Sequence, residues 1–85
     1  MKKTMKQINY TMLYGVVLKK TKKYIKINYG MGKIKIFLDE LPDTKEIQVD
    51  YTISVGGFLV RRGLTTGVLG QNIGIFDKHP HYIRL

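Results

Sequence analysis

An 85-residue chain with 15 Lys plus Arg, 6 Asp plus Glu and a formal net charge of +9 holds one modest core, which excludes a multidomain enzyme and any fold of repeated βαβ units. The absence of Cys excludes a disulfide framework, an iron–sulfur cluster and a thiolate zinc site. Ala, the best helix former, is also absent, while 10 Ile, 6 Val and 7 Thr favour a pleated sheet.

Residues 1–7 read as a basic arm. The opening MKKTMKQINYTMLYGVVL begins like a secretory leader. Its apolar run from Met12 to Leu18 is short, contains Tyr14 and Gly15, and lacks a small-residue cleavage pattern. No stretch approaches the roughly 20 apolar residues of a membrane-spanning helix. The expectation is a soluble, cytosolic protein with no membrane association. Residues 8–18 alternate, with Ile8, Tyr10, Met12, Tyr14, Val16 and Leu18 on one face and Asn9, Thr11, Leu13, Gly15 and Val17 on the other. This predicts a strand. A helix competes, because Met1, Met5, Ile8 and Met12 fit a 3.6 period, but the Tyr, Thr, Gly and Val content opposes it. Lys19 to Lys23, KKTKK, reads as a basic turn.

Residues 24–38 form the clearest element. Tyr24 to Tyr29 and Lys33 to Leu38 both alternate with period 2 around Gly30-Met31, which suits a two-residue type II′ hairpin. The register that follows sets Ile27 against Ile34, Ile25 against Ile36, Lys26 against Lys35, Asn28 against Lys33 and Tyr24 against Phe37. A slip of one residue would mix the apolar and basic faces.

Asp39 to Glu46 is an acidic connection containing Pro42. Ile47 to Val55 alternates without a fault and predicts a strand. Gly56-Gly57 marks a bend or bulge, and Phe58 to Arg62 a further short strand. Residues 63–74, with four Gly, read as a loop or a Gly-bent hairpin. Ile73 to Phe76 and His81 to Leu85 read as two last strands around Asp77-Lys78-His79-Pro80. The expected fold is all-β: one small barrel or sandwich of five to seven short antiparallel strands, OB-like or SH3-like.

Charge is segregated. Residues 1–38 carry ten Lys and no acid, whereas residues 39–85 carry five basic and six acidic residues. With the hairpin isoleucines facing a core, Tyr24, Lys26, Asn28, Lys33, Lys35 and Phe37 share the opposite face, and Lys19, Lys20, Lys22 and Lys23 extend it. Rings stack on unpaired bases and lysines track phosphates. This face, together with Arg61 and Arg62 beside the Gly-rich segment, is the candidate site for single-stranded DNA or RNA, read with little sequence preference. The bland alternative is a cross-strand Tyr–Phe pair with solvated edge lysines.

Other chemistry has little footing. Asp77, His79 and His81 could alternate as metal ligands, but Pro80 interrupts them and no fourth ligand follows, so neither metal nor cofactor is expected. Ser54, the sole Ser, lies in a regular alternating stretch without a nucleophile elbow, so no enzyme is expected. The same size and basic field fit a second class, a phage or mobile-element inhibitor that docks on a host or defence protein. They also fit a third, a structural subunit of a virion or ribonucleoprotein. Apolar residues such as Phe58 and Leu59 suggest a homodimer.

Overall fold

The computed structural model describes residues 10–41 and 43–78. The arm at 1–7, the competing helix near the start, Pro42, the strand at 81–85, and His79 and His81 lie outside them. Five strands run in order: β1 (Tyr10–Lys20), β2 (Tyr24–Asn28), β3 (Lys33–Phe37), β4 (Thr52–Arg62) and β5 (Thr65–Asp77). They form one mixed sheet ordered β1-β2-β3-β5-β4, in which β4 pairs back onto β1 and closes the ring. There is no helix among the described residues, and hence none long and apolar enough to cross a membrane.

The β2–β3 hairpin has the expected register, with Lys26 opposite Lys35 and Ile27 opposite Ile34. Gly30 takes φ +96°, a conformation that side chains resist, so this turn position requires glycine. Asn28 Oδ1 accepts the Gly30 N–H at 3.0 Å and tightens the turn. The alternation sends Ile25, Ile27 and Ile36 inward, where they meet Val17, Ile53, Val55 and Val68 in a core that excludes water. No polar or charged residue is buried among the described residues.

Several boundaries differ from the sequence expectation. One pair is parallel: β3 and β5 join through Lys35–Gly67, Ile36–Val68 and Phe37–Leu69. A ring of five strands demands at least one such pair, because an odd number of strands cannot alternate in direction all the way round; here the connection from β3 to β4 carries the chain across one end, and β5 returns beside β3 in the same direction. The strand expected from Ile47 begins only at Thr52. Ile47 N–H donates to Thr44 O at 3.1 Å and Tyr51 N–H to Gln48 O at 3.1 Å, so this stretch turns. Asp50 adopts φ +77°, and its N–H reaches Val17 O at 2.9 Å. The alternating Ile47 is buried, but as a plug in the end of the sheet and not as a strand residue.

β4 continues through the expected bend to Arg62. Gly56-Gly57 is a bulge within it, seen as a register shift against β5. The Gly-rich segment is the hairpin and not the loop. Gly63 and Leu64 turn, and β5 then runs 13 residues, paired along its length with β4.

β1 extends through Lys19 and Lys20, into the segment expected to turn. Its core side is Leu13, Gly15 and Val17, while Tyr10, Met12, Tyr14 and Leu18 face outward and remain exposed. A bulge between Val17 and Lys19 places both Leu18 and Lys19 outside and lets Lys20 turn in beside Ile25. The Lys20 ammonium then donates to Thr44 O and, at 2.8 Å, to Ile47 O, tying the 38–51 connection to the barrel end.

Two stability changes follow. Ile27→Asp puts an unpaired charge in the core and should cost several kcal/mol, about half of a typical domain stability or more. Chemical denaturation should show an unfolded or severely weakened chain. Lys20→Met keeps the stem but removes two charge-assisted hydrogen bonds, each worth about 1.5–3 kcal/mol. Its denaturation midpoint should fall measurably while the β-sheet circular dichroism is retained.

Candidate nucleic-acid interface

Cross-strand pairing assembles the basic face. Lys19 on β1 lies opposite Lys26 on β2, which lies opposite Lys35 on β3. Three ammoniums thus form one row across three strands. Like charges directly opposite destabilise a sheet. Lys35 relieves part of this by leaning over the Tyr24 ring, with Nζ 4.5 Å from the centroid. Lys33 is exposed beside Asn28 near the hairpin tip.

The turn between β1 and β2 is held by its threonine. Thr21 Oγ1 accepts the N–H groups of Lys23 and Tyr24, both at 3.1 Å. Thr21 N–H donates to Tyr24 O at 2.8 Å, and Leu38 N–H to Lys23 O at 3.0 Å. These bonds fix the turn against the end of β3 and leave Lys22 and Lys23 exposed.

A cleft of about 470 Å³ opens there, lined by Lys22, Lys23, Tyr24, Phe37, Leu38, Asp39 and Arg62. Arg62 reaches across from the end of β4. Its guanidinium lies 4.3 Å over the Phe37 ring and donates to Asp39 Oδ1 at 3.0 Å. The hydrogen bond from Arg62 holds the Asp39 carboxyl below its ordinary value of 3.8. Asp39 is therefore ionised, and can pair with Arg62, throughout the neutral range.

The structure thus brings together Lys19, Lys22, Lys23, Tyr24, Lys26, Lys33, Lys35 and Arg62. Three others are engaged by contacts within the fold. Phe37 lies on the basic side but is only 8% exposed, so its ring is not an open stacking platform. It packs over Gly67, where a Cβ would come within 2.6 Å of its ring. Lys20 is committed to loop carbonyls, and the Asn28 side-chain oxygen to its own turn. Arg61 is exposed and pairs across to Thr66 in the adjacent register row. Leu38 and Asp39 also line the cleft, with no motif in the sequence to mark them. The only hint was their position directly after Phe37, since the contact between Asp39 and Arg62 spans 23 residues.

No protein-family model matches the chain, and no curated protein matches it in sequence. Among the described residues no group of His, Cys, Asp and Glu could hold a metal ion.

The ion pair makes an acid-range prediction. A depressed carboxylate stabilises the fold above its unfolded pKa, and that contribution is lost as pH falls through the folded value. The Asp39 carboxyl should titrate below 3.8 by NMR in the parent and move upward in Arg62→Gln. Any stability difference between the parent and Asp39→Asn at neutral pH should vanish in strong acid.

Proposed function

We propose that this chain is an OB-like barrel that binds single-stranded DNA or RNA with little sequence preference. The row Lys19–Lys26–Lys35, flanked by Lys22, Lys23, Lys33 and the Tyr24 ring, carries this reading. The strand order β1-β2-β3-β5-β4 supports it. In five-stranded barrels of the OB type, oligonucleotides lie on the face of strands 2 and 3, between the loops joining strands 1–2 and 4–5. Here those are the lysine hairpin, the KKTKK segment and the Arg61-Arg62-Gly63-Leu64 tip.

The chemistry is electrostatic first. A backbone laid along the row exchanges condensed counterions for ammoniums, and the repulsion among the three lysines is relieved at the same moment. Tyr24 offers a ring beside the row for an unstacked base. Arg62 is held by Asp39 and contributes to a phosphate contact only by exchanging that carboxylate for another anion.

Fluorescence anisotropy with labelled single- and double-stranded oligonucleotides at several salt concentrations tests the reading. Single strands should bind more tightly, with a steep loss of affinity as salt rises. Lys26→Glu should weaken binding and flatten the salt slope by roughly 0.7 per lost phosphate contact. The same carboxylate would face Lys19 and Lys35, so thermal stability should hold or rise, and binding and stability move in opposite directions. Tyr24→Leu should cost about 1–3 kcal/mol of affinity with the slope nearly unchanged. No binding at about 50 mM salt would overturn the proposal and turn the search to a protein partner.

A further inference from the structure

The opposite side of the ring is as free of charge as the hairpin is rich in it. Segments 10–18, 52–60 and 63–76 contain no Asp, Glu, Lys or Arg, in a chain of which 25% is charged. Those segments supply most of β1, β4 and β5, three neighbouring strands. On their outer side, Tyr10, Met12 and Tyr14 lie beside Phe58, Gly56 and Ser54, and Gly56 and Ser54 lie beside Asn72 and Gly74. Phe76 completes the face.

The rings are positioned, not loose. Tyr10 meets Phe58 edge-on at 5.2 Å, and Tyr14 meets Phe76 edge-on at 5.5 Å. Asn72 Nδ2 donates to Tyr10 Oη at 3.2 Å. Yet Met12, Tyr14 and Phe76 remain 57%, 56% and 68% exposed. A contiguous apolar surface of this kind on a small protein marks an interaction site.

We infer that this face is the dimer interface between two copies of the chain. Charge decides the occupant. Each copy carries +9, so two copies repel wherever their lysines approach within a Debye length of about 8–10 Å. The lysine row runs from Lys19, past the uncharged stretch 10–18 of β1, onto β2 and β3, and β4 has neither of those two as a neighbour in the ring. Meeting through β1, β4 and β5 leaves both rows pointing away from the contact. Among the described residues a polyanion finds no cation on this face to hold its phosphates, and an acidic protein finds nothing to pair with. Because the sheet closes on itself, association proceeds face to face and not by strand addition. The relief suits a two-fold: large Tyr14 and Phe76 stand beside small Ser54 and Gly74, so each copy can set its rings over the other's low ground.

The inference rests on residues separate from the nucleic-acid face and is tested without nucleic acid. Sedimentation equilibrium of the full chain should give twice the monomer mass at micromolar concentrations, and the association should not weaken as salt is raised. Tyr14→Lys and Phe76→Lys should each loosen the dimer about tenfold or more while circular dichroism and the melting curve stay those of a folded sheet. If either variant unfolds, Met12→Lys at the same face takes its place. Lys26→Glu should leave the dimer intact. A parent that stays monomeric to the highest soluble concentration would overturn the inference. So would a dimer that salt dissociates, or one that the folded face variants leave unweakened.

Discussion

The interior of a closed five-stranded sheet has room for one layer of side chains, and that limit governs the rest of this molecule. Val17, Ile25, Ile27, Ile36, Ile53, Val55 and Val68 fill it. Each buried aliphatic side chain contributes about 1.5–3 kcal/mol. With no space inside for a desolvated charge, the cations of the described residues all sit at the surface or, like Lys20, at the barrel end with loop carbonyls as partners. Where each lysine lands is then a matter of strand register.

Register is adjusted at one residue with large effect. Had β1 continued its alternation past Val17, Lys19 would point at the core. The bulge at Leu18 turns Lys19 outward to stand opposite Lys26 and sends Lys20 inward to the barrel end. One extra residue thus completes the three-lysine row and at the same time anchors the 38–51 connection. Adjacent residues of the same type face solvent in one case and hold the barrel end in the other.

The result is a barrel with two unlike sides. Strands β2 and β3, joined by Lys19 at the end of β1 and Arg62 at the end of β4, display ammoniums, one aromatic ring and an ion-paired arginine. Strands β1, β4 and β5 display rings, amides and glycines. Like-charge repulsion on the first side and exposed apolar area on the second are both costs to an isolated monomer. On the proposed readings a polyanion would relieve the first and a second copy the second.

The sequence by itself determined the all-β class and the register of the β2–β3 hairpin, because period-2 alternation with a glycine turn admits one register that keeps isoleucines together. It also showed the segregation of charge. Tertiary structure alone decided what alternation cannot see. Ile47 to Tyr51 alternates as a strand would, yet it turns to plug the barrel end, because the chain must cross from β3 to β4 there. The glycines of β5 resemble a loop, but Gly67 and Gly70 sit where Phe37 and Leu41 press against the strand, so closeness of packing and not flexibility calls for them. Phe37 falls on the basic side as its parity requires, but Arg62, 25 residues later and brought over by the closed ring, covers it. Local pattern fixes which way a side chain points relative to its own strand. Whether it then meets water, a plug or a distant arginine depends on contacts that only closure of the sheet creates.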